Sequence, residues 1–420
     1  MSAPRIAVID GALASRLFVA AMLRLRWPDA DIEEIDPFAQ TLYGAGPLLS
    51  SGRDLIIAGG LGAVDEAVQR LARIDAPRGR AAVLLLVSRA MMAPSDAHPA
   101  PAAELIAAGA GAMLYRDTIS GQALVATAAQ LLAGDRATGP RAQSACGSFL
   151  LSVHDGARAV QIEDCRPVVK LAGNELNHVF RAERIGSGEP VVVKVMNGIG
   201  PADQPALRAY MTLLGFLGSA ASPGVVRMLD TGLADLIPYM VFEYLGGGDL
   251  RARMTAPLEP DAAIRIVTSL ARALEPLHAR RIAHMDVKPE NIFARDDGTL
   301  ALIDFNAATQ FGAVAGKRTP REVVGTPHYM SPEQGQGLPV DGRSDLYSVG
   351  VLLYEMLTGV PPFEADTSAA LIYKHIHDEI PLLPRGLRAY QPLVDRLLAK
   401  QPEQRFQNAN ELALALAGPA

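Results

Sequence analysis

Asp286, Lys288, Asn291 and Asp304 fall within one stretch, Arg281–Asn306, RIAHMDVKPENIFARDDGTLALIDFN. An amide oxygen and a carboxylate are hard ligands that suit Mg²⁺. A second carboxylate is left to orient an attacking hydroxyl, and a lysine to face a negatively charged group. Together these types and spacings suit phosphoryl transfer from a nucleotide. A loop carrying His284, Asp286, Lys288 and Asn291 leads into Ile292–Phe293. A turn follows at Asp296-Asp297-Gly298-Thr299, then the apolar run Leu300–Ile303, ending at Asp304. That pattern reads as a hairpin with acids and an amide at its open end. Taken alone, an Asp-rich turn between two strands is an ordinary polar turn.

Other motifs follow in order, and the whole pattern resembles the protein kinase family in its bacterial-type (Hanks-type) serine/threonine form, with Lys288 two residues after Asp286. The resemblance implies that Asp286 orients a substrate hydroxyl and Lys288 offsets charge on the transferring group. It implies that Asn291 and Asp304 hold Mg²⁺ or Mn²⁺. Lys194, inside the apolar strand Val191–Val195, would anchor the α and β phosphates of ATP; burying its charge without a partner would cost too much. Val179 matches the valine that packs on the base. Phe242 stands where pocket depth is limited, and backbone groups of Glu243 to Leu245 would bond the base edge. Val192 and Phe293 sit above and below the adenine, each larger than the usual residue, which crowds the slot.

The departures are as specific as the matches. Of the glycines that normally cover the phosphates, only Gly173 remains. The helix expected over Pro205–Leu217 contains no acid, and Tyr210 stands where the family presents a Glu to the strand lysine. Glu183 or Glu175 from the neighbouring strands, or the phosphates themselves, would then position Lys194. Met285 replaces the Arg that holds a phosphorylated activation segment, and Asn306 replaces a Gly, a change that Asn tolerates well where φ is positive. The run Gly325-Thr326-Pro327-His328-Tyr329-Met330-Ser331-Pro332-Glu333-Gln334 resembles the end of that segment. There Thr319 is a candidate modification site and Thr326 would bridge Asp286 and Lys288. Glu333 would pair with Arg405, and Asp345 would receive hydrogen bonds from the catalytic-loop backbone.

The elements before this region alternate strand and helix. Ile6–Ile9, Ile32–Ile35, Leu55–Ala58, Ala82–Val87 and Ala112–Tyr115 read as strands. Leu13–Trp27, Val64–Ile74, Ala102–Ala108 and Ile119–Leu132 read as helices. This predicts a parallel sheet covered on both faces. It resembles the response-regulator receiver, a flavodoxin-like doubly wound fold. Gly59 occupies the place of the phosphorylatable Asp; Asp10, Ser88 and Arg116 match the remaining acid, the hydroxyl and the basic residue. The resemblance therefore implies a receiver that cannot be phosphorylated, used for docking or dimerisation. The apolar stripe Leu124, Ala128, Leu131 and Leu132 is the candidate surface for a homodimer or hetero-partner.

With 420 residues, the chain should hold two or three domains. A net charge of −6 and the lack of basic runs argue against nucleic acid and anionic membranes. Two cysteines suit a reducing cytoplasm. The first lysine is Lys170, a composition shift that supports a boundary nearby. The expected organisation is a multidomain chain. Residues 1–135 form the receiver-like α/β domain and 136–164 a linker. Residues 165–420 form an α+β bilobal kinase domain, with an N-lobe to about 245 and a C-lobe from about 246. The rival expectation is a catalytically weak or inactive pseudokinase scaffold, favoured by the missing helix acid, the sparse glycines and the crowded slot. The protein substrate is not legible.

Overall fold

The computed structural model describes residues 3–36, 53–60, 63–73, 81–98, 100–135, 145–153, 156–174, 176–199, 204–219, 222–312 and 327–417. The chain divides into two compact units, Met1–Ser219 with Met228–Tyr244, and Ala220–Arg227 with Leu245–Ala420. Among the described residues, no helix is long and apolar enough to cross a membrane.

The first unit begins with β1 (Arg5–Ile9), α1 (Leu13–Arg26), β2 (Asp31–Ile35), β3 (Leu55–Ala58), α2 (Val64–Arg73), β4 (Ala82–Val87), α3 (Pro101–Ala107) and β5 (Ala112–Tyr115). The strands form one parallel sheet in the order β2-β1-β3-β4-β5. Its inner strands are near-continuous apolar runs, as burial on both faces requires. Edge strand β2 instead carries the exposed acids Asp31, Glu33 and Glu34, charges that blunt an open edge.

A second sheet follows. Its elements are β6 (Thr118–Ser120), α4 (Gly121–Leu132), β7 (Cys146–Val153), β8 (Gly156–Glu163), β9 (Cys165–Gly173), β10 (His178–Arg184), β11 (Pro190–Val195), α5 (Gln204–Ser219), β12 (Met228–Ala234) and β13 (Ile237–Glu243). Six of these strands order as β6-β12-β13-β11-β10-β9. Two expectations need correction here. The helix expected from Ile119 begins at Gly121, capped by the Ser120 hydroxyl on Ala123 N–H at 3.1 Å. The preceding Thr118–Ser120 pairs antiparallel with Gly232–Ala234, so the first segment contributes a strand to the second sheet. The stretch expected as a linker also holds structure. β7 and β8 form a full antiparallel hairpin from Cys146↔Glu163 to Val153↔Gly156. Its Phe149, Leu151, Val160 and Ile162 share one core with Val191, Val193, Val195 and Tyr239.

The second unit adds α6 (Leu250–Arg253), α7 (Pro260–Ala279), β14 (Ile282–Ala283), β15 (Ile292–Ala294), β16 (Leu300–Leu302), β17 (Thr309–Gln310), α8 (Pro332–Gly335), α9 (Gly342–Thr358), α10 (Ser368–His377), α11 (Gln391–Leu397) and α12 (Ala409–Leu416). Helix α9 is buried at Gly342 and from Ser344 to Leu357, the signature of a central core helix. It packs with α7, α11 and α12 in one apolar cluster. Gly359 ends it with φ +81°, a left-handed cap that glycine adopts without steric cost. The β15–β16 pair is the hairpin expected from the sequence, Ile292↔Leu302 to Ala294↔Leu300.

Candidate functional site

In the second unit, the loop between β14 and β15 is suspended from α9. Asp345 accepts from the backbone N–H of His284 and of Met285, both at 2.8 Å, and meets His278 Nε2 at 2.9 Å. These contacts give the loop a fixed origin, and Met285 turns there with φ +69°. His284 is buried; its Nε2 meets the Ile303 carbonyl at 3.0 Å and its ring packs edge-on to Phe305. Burial pushes the imidazole pKa below its ordinary value, against the pull of Asp345 and Asp286. The ring thus ties the loop to Ile303 and Phe305, just past β16.

Three of the expected residues converge beyond that anchor. Lys288 Nζ lies 2.9 and 2.8 Å from the two oxygens of Asp286. Asn291 Nδ2 donates at 2.8 Å both to the Asp286 carbonyl and to its Oδ2. With its nitrogen so engaged, the Asn291 Oδ1 is the atom left to accept or to ligate. Asn291 is only 6 % exposed, so its orientation is fixed by packing as well as by bonding. Asp304 has φ +60° just before the 3-10 turn Phe305–Ala307. The left-handed backbone expected at Asn306 thus falls on Asp304, while Asn306 lies within the turn. Asp is among the non-glycine residues that adopt this left-handed conformation most readily.

The structural tie expected between Glu333 and Arg405 is formed, at 2.8 and 2.9 Å, and the Ser344 hydroxyl joins Glu333 at 2.6 Å. Arg405 also donates to the Ala399, Lys400 and Arg343 carbonyls. Burial opposes ionisation of Glu333, but the guanidinium and the hydroxyl more than offset it and hold the carboxyl below its usual range. Thr319 and Thr326 lie outside the described residues.

In the first unit, strand alternation settles which face each candidate shares. Val191, Val193 and Val195 enter the core with the β7–β8 hairpin. Val192 and Lys194 therefore point to the other face. The register sets Val179 opposite Lys194 and Phe242 opposite Val192. Lys194 is 8 % exposed. Glu183 is not beside it. That residue lies four positions along β10 from Val179, about 13 Å at strand rise, and pairs with Arg166 at 2.8 Å. Glu175 lies outside the described residues. Tyr210 is buried, and its hydroxyl meets Thr231 Oγ1 at 2.6 Å and donates to the Tyr239 carbonyl at 3.1 Å.

The turn after Gly173 closes on itself. Asn174 Oδ1 accepts from Leu176 and Asn177 N–H at 2.9 Å each. Gly198 N–H then donates to the Leu176 carbonyl at 2.7 Å. Sequence reading passed over Asn174, although Asn beside Gly is a recognised turn signal. Glu243 ends β13 in the first unit, and buried Leu245 belongs to the second. Phe293 is half-buried in β15. The His278–Asp345 contact also escaped sequence reading, because nothing local marks a pairing so far apart along the chain.

At the carboxyl ends of β1 and β3, Asp10 is buried and bonded to Ala12 N–H at 2.8 Å and Ser15 Oγ at 2.7 Å. Arg116 stands 3.8 Å from it. A Cβ built on Gly59 would lie 2.2 Å from Asp10 Oδ2. The Asp10 carboxylate thus fills the space that an acceptor side chain would need. Ser88 turns inward locally, its hydroxyl accepting from Met91 N–H at 3.1 Å.

Residues 173–414 match the family model described as protein kinase domain. A probable serine/threonine-protein kinase of Clostridium acetobutylicum is 35% identical over 241 residues, 56% of this chain and 36% of that protein. The serine/threonine-protein kinase PknB of Mycobacterium leprae is 39% identical over 200 residues, 45% of this chain and 32% of its own length. A probable serine/threonine-protein kinase of Corynebacterium efficiens is 33% identical over 256 residues, 57% and 39% respectively. The chain thus spans well under half the length of these relatives.

Proposed function

The chain belongs to the protein kinase family, and from that premise we propose that it transfers the γ-phosphate of ATP to serine or threonine hydroxyls of a protein in bacterial-type signalling. The observation that carries this reading is the Asp286–Lys288–Asn291 cluster suspended from Asp345. Asp286 orients the substrate hydroxyl and takes its proton late. Lys288, held on Asp286, offsets charge on the transferring group. Asn291 Oδ1 and the Asp304 carboxylate would hold Mg²⁺ or Mn²⁺; when bound, the ion neutralises charge on the phosphates. Lys194 anchors the α and β phosphates. Most of the rate gain then comes from positioning and fixed charge.

The N-terminal sheet is read as a receiver-like domain without a phosphoacceptor, serving regulation or docking. Its strand order is the flavodoxin-like one, and Asp10, Ser88 and Arg116 stand at the corresponding strand ends. Leu124, Ala128 and Leu131 are buried within the chain itself, so a homodimer or hetero-partner contact through this domain would use other residues.

The test compares wild type with Asp304→Ala on a generic protein substrate and labelled ATP. Transfer should fall at least about a hundredfold, the loss that follows removal of one electrostatic element. Nucleotide with Mg²⁺ should raise the melting temperature of wild type. Equal, negligible labelling in both proteins with no nucleotide-dependent shift would leave only the scaffold reading.

A further inference from the structure

Helix α1 lies outside the matched kinase region, which begins at residue 173, yet it packs on α5 of that region. Ala14 and Leu17 form one buried cluster with Leu207, flanked by Leu13, Ile199 and Met211. Farther along, a Cβ on Gly218 would lie 3.2 Å from Leu25 Cδ1. The same number of residues separates Ala14 from Leu25 and Leu207 from Gly218. The two helices therefore run side by side in the same direction for about three turns. Gly218 removes the side chain that would hold Leu25 away. This contact explains why α1 is buried from Ala14 through Ala20, which a helix covering only its own sheet would not be.

The opposite tether of α5 is Tyr210. Its hydroxyl bonds Thr231 Oγ1 and the Tyr239 carbonyl, and Thr231 Oγ1 donates to that same carbonyl at 2.7 Å. Tyr239 pairs with Val195, the neighbour of Lys194 on β11. The N-terminal segment also reaches β12, the strand of Thr231: Gln122 Nε2 donates to the Leu229 carbonyl at 2.7 Å, and Gln122 N–H donates to Asp230 Oδ1 at 3.3 Å. Helix α5 carries no acid, so an ion pair from it to Lys194 is chemically impossible.

We propose that α1 is the outer wall fixing α5 in its working position, and that Tyr210 and Leu207 are positioning residues for Lys194. This rests on the kinase reading above and extends it: the N-terminal domain is part of the machinery that sets the nucleotide anchor. The positional order that an acid on α5 would supply comes instead from apolar packing on one side of the helix and a buried hydroxyl on the other.

The experiment uses the full chain with Leu17→Asp, Leu207→Asp, Leu207→Met and Tyr210→Phe. Hydrogen exchange of peptides covering 204–219 reads the helix, and steady-state kinetics read the anchor. Exchange in α5 should rise about tenfold in both Asp variants, with β3 and β4 protected as in wild type. KM for ATP should rise about tenfold in these and in Tyr210→Phe, with KM for the protein substrate unchanged, while Leu207→Met stays near wild type. Unchanged α5 exchange in both Asp variants would overturn the proposal, as would equal effects on both KM values. Should an Asp variant fail to fold, Leu17→Ala and Tyr210→Phe carry the same readouts. A wild-type protein that transfers no phosphate would remove the kinase reading, and the exchange data would still decide whether α1 holds α5.

Discussion

Glu333 and Arg405 show what a buried ion pair costs and provides. The Arg405 side chain is wholly buried and that of Glu333 is 7 % exposed, so neither charge is compensated by water. Removing one partner strands the other, an effect of about 3–5 kcal/mol. Glu333→Ala should therefore lower the denaturant midpoint strongly at pH 7. The pH dependence has a definite sign. The Glu333 carboxyl is held below its usual value of 4.5, so its stabilisation is present above that value and is lost as pH falls through the lower folded pKa. The deficit of Glu333→Ala against wild type should shrink below about pH 4.5. A deficit that stays constant from pH 7 to pH 3 would mean packing, not charge, is what the pair supplies. This pair was legible in the sequence because two charged residues had a role that demanded their types. For Asn174 the Gly-Asn pair signals a turn, but which N–H groups its amide oxygen accepts from is visible only in the structure.

At the scale of elements, the loop between β14 and β15 shows how a missing residue is absorbed. Met285 has its N–H on Asp345 and its carbonyl on Gln334 Nε2 at 3.1 Å. The backbone is thus held at both ends without any contribution from the side chain. A thioether cannot make the charge-assisted bonds by which an Arg would grip a phosphate. Phosphatase treatment should accordingly leave the transfer rate within about twofold, since no switch of that kind is wired to this position. A large fall in rate would show that another basic group has taken over. The β7–β8 hairpin was hidden in the sequence for a physical reason. Leu150, 62 % exposed, sits between buried Phe149 and Leu151, and this blurs the period-two pattern of a strand. Gly147 reads as a loop signal, yet it is there because a Cβ would lie 2.0 Å from the Cys165 carbonyl. Likewise Ile119 fits the apolar period of α4, and only its pairing opposite Leu233 reveals a strand. Local periodicity cannot report a partner more than a hundred residues away.

At the scale of the molecule, strand β6 joins the N-terminal segment to the sheet that carries Lys194, and helix α1 joins it to α5. An isolated N-terminal fragment would lose the partners of Leu17, Ser120 and Gln122, so the full chain is the proper object. Acyl phosphate needs a carboxylate at the end of β3, where Gly59 stands. Asp10 does not inherit the role, because its oxygens are committed to Ala12 N–H and Ser15 Oγ and are buried. Asp54 opens β3 at its far end and accepts from Arg5 N–H at 2.8 Å. Incubation of the full chain with a small acyl-phosphate donor should therefore add no phosphate by intact mass. Restoring an acid should not restore the chemistry: in Gly59→Asp the new Cβ would lie 2.2 Å from Asp10 Oδ2. Two carboxylates would then compete for one buried space, and like charges so close cannot both ionise. The expected result is a lowered melting temperature, again without phosphate incorporation. A stable gain of one phosphate in either protein, mapped to Asp10, Asp54 or the introduced Asp, would show that this site still answers to phosphodonors.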